Sequence, residues 1–331
     1  MTSRPMTAAG KKIAVVVPSY RVRDRILGVL GRIGPEVSEI YVVDDACPEG
    51  TGEHVRANCR DPRVRVIVNP ANLGVGGAVI TGYRAAAASG ADVIVKIDGD
   101  GQMDPGLLPF FVTPILGGEA DYTKGNRFFN LEDVGSMPAV RVIGNAALSL
   151  ITKVSSGYWT IFDPTNGYTA IHASLLPHLR LDKVNPRYFF ESDLLFRLGL
   201  IRAKVEDVPM KAVYSGEPSS LKIRHAVLPF IFYNLRNSMK RFFYAYLLRD
   251  FSLASIQLVV GMVLVAGGGV FGVYEWIAKS RIHQFASTGT VMLAVLPILL
   301  GSGLLLSFIN YDVQRVPGVA IHRKLPRLSG P

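Results

Sequence analysis

Short, mostly apolar runs alternate with helically spaced ones through the first half of the chain. Ile13 to Val17, Ile40 to Val43, Val64 to Val68 and Val93 to Ile97 are rich in β-branched residues and end in turn formers, so each predicts a buried strand. Between them, residues 24–32, 51–59 and 77–88 place apolar side chains at helical spacing and predict three helices. This alternation predicts an open, mostly parallel α/β sheet. Further on, residues 121–127 read as an edge or crossing segment and 138–154 and 189–200 as helices. Residues 168–172 and 204–209 read as strands and 216–220 as a polar loop.

The pattern then changes. Leu228, Ile231, Leu235, Met239, Phe242 and Tyr246 recur at helical spacing among Arg236, Lys240, Arg241 and Arg249. Such a basic amphipathic helix either lies on a membrane surface or packs on the first domain. Two apolar spans follow, at about 253–277 and 289–309, each long enough to cross ~30 Å of hydrocarbon. A short polar turn joins them, which predicts a transmembrane hairpin. Gly268 and Gly272 form a small-residue face for packing within the hairpin or between subunits of a homo-oligomer. Basic residues precede the first span, and Arg315, Arg323, Lys324 and Arg327 follow the second. The turn itself carries Lys279 and Arg281. This bias predicts an integral membrane protein with both termini cytoplasmic. The expected divisions are a flexible N-terminus (1–11), an α/β domain (12–222), juxtamembrane helices (223–250), the hairpin (251–310) and a cytoplasmic tail (311–331).

Composition adds two constraints. The 331 residues carry a net charge of +10, from 36 basic and 26 acidic side chains. Much of the basic charge brackets the spans, so anionic lipid and lipid phosphate explain it better than nucleic acid. The two cysteines, Cys47 and Cys59, have neither disulfide-framework nor metal-ligand spacing. Residues 1–12 lack the apolar core of a signal peptide, so the first domain is expected in the cytosol.

In open parallel sheets ligands bind outside the carboxyl ends of the strands. Tyr20, Asp44, Asp45, Asn69, Asp98 and Asp100 all fall at such ends. Asp98, Asp100 and Asp104 follow one strand at spacings of two and four, with Gly99 between the first two. Carboxylates so placed repel unless positive charge sits among them. A hard divalent cation, Mg²⁺ or Mn²⁺, suits Asp98 and Asp100. Asp104, beside Pro105, reads as a turn or cap residue.

Five motifs then stand in order. They are Val15-Val-Val-Pro18-Ser-Tyr20, Val42-Val-Asp44-Asp45, Asn72-Leu-Gly74-Val-Gly76-Gly-Ala78, Asp98-Gly-Asp100-Gly-Gln102-Met-Asp104-Pro105 and Glu191-Ser-Asp193. Together they resemble the family 2 glycosyltransferases, over roughly residues 12–220. The similarity is strongest to the branch of dolichol-phosphate mannose synthases and bacterial polyprenyl-phosphate glycosyltransferases. The resemblance implies a GT-A fold with a metal-dependent active site. It assigns Pro18, Tyr20, Asp44 and Asp45 to the nucleotide pocket, with Gly74 beside them. Asp98 and Asp100 match the metal site, and Gln102 lies near it. Arg127 matches a basic residue near the acceptor phosphate or the diphosphate. Asp193, with Glu191 as neighbour, matches the acid near the reacting centre. Lys124, Arg141 and Lys222 are further candidates for the acceptor phosphate, and Asp163 for the sugar site.

The implied reaction transfers one sugar, with inversion, from a UDP- or GDP-sugar to a polyprenyl phosphate, undecaprenyl or dolichyl. Alternatives are another membrane acceptor, diacylglycerol or polysaccharide, and a non-catalytic nucleotide-sugar-binding scaffold. Gly74-x-Gly76-x-x-Val79 lacks the third glycine of a dinucleotide fingerprint.

Overall fold

A computed structural model of the chain describes residues 10–129, 135, 139–211 and 223–325. The chain forms two compact units, one holding residues up to Ser238 and from Pro317, the other Met239–Val316.

The first unit is built on a seven-stranded sheet. Its strands are β1 (Ile13–Ser19), β2 (Glu39–Asp44), β3 (Val64–Val68), β4 (Val93–Lys96), β5 (Tyr122–Asn126), β6 (Thr169–His172) and β7 (Val205–Pro209), in the spatial order β3-β2-β1-β4-β6-β5-β7. β1 pairs in parallel with β2 and β4, β2 with β3, and β5 with β7. Only β6 runs against its neighbours. Every residue of β1 and β4 is buried, which is why these central strands read as apolar runs broken only by Lys96 and the terminal Ser19. The chain leaves β1 on one side to form β2 and returns on the other side as β4. A crevice at such a switch point is where open α/β sheets bind ligands.

Helices α1 (Arg23–Leu30), α2 (Thr51–Asn58), α3 (Val75–Ala88) and α4 (Leu108–Leu116) fall close to the expected segments or between them. α5 (Ala139–Ser156) and α6 (Phe190–Leu200) follow. A core of Val15, Val17, Ile26, Ile40, Val95, Phe111 and Tyr168 lies on one face of the sheet. Phe111 and Tyr168 stack there at 3.9 Å.

One expectation needs correcting. Residues 121–127, read as an edge or crossing segment, contain the internal strand β5, buried throughout between β6 and β7. Its sequence, Tyr-Thr-Lys-Gly-Asn, hides this because the buried polar groups find partners. Lys124 Nζ meets Asp207 at 3.2 Å, and Asn126 donates to Asp207 at 2.9 Å.

α7 (Ile223–Phe242) is amphipathic with the usual sides exchanged. Asn234 and Asn237 are buried, whereas Leu228 (74% exposed), Phe232 (61%) and Leu235 (57%) face outward. The asparagines are tied to the first unit. Asn234 accepts from Ser155 at 2.6 Å, and Asn237 donates to Asp193 at 2.8 Å. The tail is also held within this unit. The buried carboxylate of Asp121 accepts from the backbone N–H groups of Ile321 and His322, each at 2.8 Å. The His322 ring stacks on His172 at 4.2 Å. The expected polar loop 216–220 and residues 1–9 lie outside the described residues.

The second unit contains two long apolar helices, α8 (Leu253–Arg281) and α9 (Thr288–Gln314). Both are long and apolar enough to cross a membrane, and 17% of the most apolar window of each is buried. They pack against each other through small residues. A Cβ at Gly268 would lie 2.7 Å from the Ala294 carbonyl oxygen, and one at Gly301 would lie 2.8 Å from that of Gly261. The Gly268 face is therefore used inside the hairpin. At its base Asp312 accepts two bonds from Arg241, both at 2.8 Å, and a further one from Tyr246.

Candidate active site

The carboxyl ends of β2 and β4 each deliver acids to the same edge of the sheet, with different outcomes. Asp44 and Asp45 are buried and saturated. Asp44 accepts from the backbone N–H groups of Cys47 at 2.7 Å and Gly52 at 2.5 Å, which shapes the turn into α2. Asp45 accepts from Asn69 Nδ2 (2.8 Å), Leu73 N (2.9 Å) and Gly74 N (2.8 Å). These bonds set the loop that starts α3. Gly74 adopts φ +86°, and a Cβ there would lie 2.6 Å from the Pro186 carbonyl oxygen. Pro18 is buried in the β1 ladder opposite Val43. Tyr20, one residue past β1, is 42% exposed, with the Arg21 guanidinium 5.5 Å from its ring centre.

Asp98 and Asp100 are arranged otherwise. Among the described residues Asp100 accepts a single bond, at 3.0 Å from Gln102 N. Burial, with the Asp98 charge adding to it, pushes its carboxyl above the ordinary 3.8. Asp98 Oδ1 lies 3.0 Å from the Lys96 ammonium but out of hydrogen-bond alignment with any donor among the described residues. The two acids line an open pocket with Gln102, Arg127, Asn166, Gly167 and Lys211. Asp104 instead accepts from Gly106 N at 3.0 Å and caps the turn Pro105–Leu107, as its position beside Pro105 implied.

A cation fits this donor set. Two carboxylates with unmatched acceptor capacity suffice for Mg²⁺ or Mn²⁺, which take one or two carboxylates plus substrate phosphates. No group of three or more His, Cys, Asp or Glu side chains with metal-holding geometry occurs among the described residues. The remaining positions would thus fall to Gln102, substrate or water.

The basic candidates separate as well. Lys124 is buried and donates to the carbonyls of Gly125 and Phe162 and to Asp207. That removes it from the candidates for an acceptor phosphate. Arg127 lines the pocket, but its Nε and Nη2 hold Asp163 at 2.7 and 2.8 Å. Asp163 is fully buried. Burial opposes its charge, yet Arg127 holds the carboxyl below its ordinary range. It therefore orients Arg127 and does not line the sugar site itself. Lys222 and the side chain of Arg141 lie outside the described residues. Lys211, just past β7, is exposed at the pocket and has no ion-pair partner among the described residues. Sequence reading missed it, because a lysine after a strand has no pattern of its own.

The acids expected at the reacting centre do not line this pocket. Glu191 is buried with its Oε1 3.1 Å from Lys96 Nζ. Asp193 is buried and accepts from Asn185 N at 2.9 Å and Asn237 Nδ2 at 2.8 Å, with Arg197 at 3.4 Å. It joins the loop before α6 to α7. Lys96 was the second omission. The signal was a lysine within an otherwise apolar strand, two residues before Asp98 and so on the same face.

The chain is 31% identical to the undecaprenyl-phosphate mannosyltransferase of Micrococcus luteus, over 61% of this chain and 84% of that protein. It is 29% identical to a UDP-N-acetylglucosamine–dolichyl-phosphate N-acetylglucosaminyltransferase of Methanococcus voltae, over 69% and 96%. In fold it matches glucosyl-3-phosphoglycerate synthase of Mycobacterium tuberculosis, crystallised with Mn²⁺, UDP and glucosyl-3-phosphoglycerate. The TM-score is 0.53 at 24% identity, over 70% of this chain and 81% of that one. The sheet is that of a GT-A glycosyltransferase. The sequence model of glycosyl transferase family 2 matches residues 14–180, and the chain belongs to that family of glycosyltransferases.

Proposed function

We propose that this enzyme transfers a single sugar, with inversion, from a nucleotide-sugar to a polyprenyl phosphate at the cytoplasmic face of a membrane. The observation that carries the reading is the pocket itself. It sets Asp98 and Asp100, short of hydrogen-bond donors, opposite the basic side chains of Arg127 and Lys211. Relatives acting on undecaprenyl and dolichyl phosphates support the choice of acceptor.

A lipid phosphate monoester is mostly dianionic at neutral pH and needs little help from a base. It needs to be held in line with the anomeric carbon. Lys211 is the cation for that task, with Arg127 beside it at a fixed angle set by Asp163. An acceptor oxygen bonds to the anomeric carbon as the bond to the diphosphate breaks, and the nucleoside diphosphate leaves. A divalent cation at Asp98 and Asp100 would offset the charge of the departing diphosphate. Tyr20 offers an exposed ring to the nucleotide base. Asp44, Asp45 and Gly74 build the wall of the donor site, and Asp193 braces α6.

Helix α7 and the hairpin supply the membrane. An outward row of Leu228, Phe232, Leu235 and Met239 suits the headgroup boundary better than water. Flanking basic residues favour the cytoplasmic side.

The test incubates the detergent-purified chain with UDP- and GDP-sugars, Mn²⁺ or Mg²⁺, and undecaprenyl or dolichyl phosphate. The expected product is a prenyl-phosphate sugar of inverted anomeric configuration. A retained configuration would overturn the mechanism. Transfer only to acceptors lacking a prenyl phosphate would overturn the substrate class.

A further inference from the structure

Lys96 ends β4 with its side chain almost completely buried. A lysine is rarely placed so unless its charge is matched. Here it is matched twice. Its Nζ lies 3.0 Å from Asp98 Oδ1 and 3.1 Å from Glu191 Oε1. Asp98 follows two residues later on the same face of the chain, while Glu191 comes from the first turn of α6. The ammonium thus joins two motifs 95 residues apart in sequence. Gly167 completes the arrangement, since a Cβ there would lie 2.4 Å from Lys96 Nζ and 2.6 Å from Asp98 Oδ2. Any larger residue would displace one group or the other. Burial works against the lysine's charge, but the two acids outweigh it and keep the ammonium protonated.

We propose that Lys96 is a positioning residue: it fixes one oxygen of Asp98 from beneath and leaves the other, Oδ2, presented at the pocket for the cation and the donor diphosphate. The proposal rests on the metal-site reading of Asp98 and Asp100. It assigns Glu191 to holding Lys96, not to the reacting centre. Without Lys96, Asp98 is free to rotate, and Glu191 is left as an unmatched buried acid.

The two consequences separate experimentally. Breaking one partner of a buried ion pair destabilises strongly, whereas replacing both is often close to neutral. Lys96→Met alone should lower Tm and weaken Mn²⁺ binding. The double variant Lys96→Met/Glu191→Gln should recover most of the Tm while Mn²⁺ remains bound at least about tenfold more weakly than in wild type. Full-length protein in detergent would be titrated with Mn²⁺, read by electron paramagnetic resonance, and melted in parallel. Wild-type Mn²⁺ affinity in the double variant would overturn the proposal, because Lys96 would then serve only to match Glu191. Equal Mn²⁺ binding by wild type and Asp100→Asn would instead remove the metal site, and the Lys96 role with it.

Discussion

The acids after β2 and those after β4 look alike in sequence and differ in the folded chain. Both groups stand at the carboxyl ends of parallel strands. Asp44 and Asp45 meet five N–H donors, from Cys47, Gly52, Asn69, Leu73 and Gly74. Among the described residues Asp98 and Asp100 meet one, from Gln102, plus the off-axis ammonium of Lys96. The first pair is spent on shaping loops. The second retains acceptor capacity at a pocket. What distinguishes a binding carboxylate from a building one is the supply of donors around it, not its place on the strand.

The largest effect should come from exchanging the two outcomes. Asp100→Ala should lower kcat/KM by about 10²–10³-fold, as loss of an electrostatic stabiliser does. Its Tm should hold or rise, because a like-charge contact with Asp98 is relieved. Asp45→Ala should do the reverse first. It orphans two backbone N–H groups and the Asn69 amide, at a cost of about 3 kcal/mol. The Tm should therefore fall, with activity following the loss of folded protein. Melting curves and steady-state kinetics on both variants decide this. A stable but inactive Asp45→Ala would mean that Asp45 touches the donor directly.

A smaller effect tests the same contrast through pH, using Asp100 and Asp163. Asp100 is raised in the native state by burial and by Asp98. Its contribution to stability is present below its unfolded value near 3.8 and lost as pH rises through the raised native value. In EDTA, Asp100→Asn should therefore melt higher than wild type at pH 7, with the gap closing toward pH 4. Asp163 is opposed by burial but held low by Arg127. Its contribution is present above about 3.8 and lost as pH falls through the lower native value. Asp163→Asn should melt lower than wild type at pH 7, with that gap closing below pH 4. Parallel slopes for the two variants would erase the distinction.

Much of the fold was legible because burial wrote it plainly. β1 and β4 are buried on both faces, so apart from Ser19 and Lys96 their residues are apolar. The two apolar spans were equally plain. β5 escaped because its polar residues are buried with partners that only the folded chain supplies, such as Asp207. The same reason limited the site. Tyr20, Asp98 and Asp100 could be placed at strand ends from sequence. That Lys124 is locked inward while Lys211 stands open depends on Phe162 and Asp207, 38 and 83 positions from Lys124. No spacing along the chain encodes that difference.

That pair of lysines gives the finest test. Lys211 lines the pocket, whereas the Lys124 ammonium is turned into the fold toward Phe162 and Asp207. Lys124 has already given its donors to Asp207 and two carbonyls, so it is part of the packed interior. Lys124→Met should leave Asp207, which burial already pushes above the ordinary carboxylate range, without its cation and lower Tm. Lys211→Met removes a charge that no described residue matches, so Tm should not move. If Lys211 receives the acceptor phosphate, losing one charge-assisted contact of about 1.5 kcal/mol should raise the acceptor KM roughly tenfold. Donor KM and Mn²⁺ affinity should stay at wild-type values. A rise in donor KM instead would move Lys211 to the diphosphate. In that case Arg127, already angled by Asp163, would be left as the described cation on the acceptor side of the pocket.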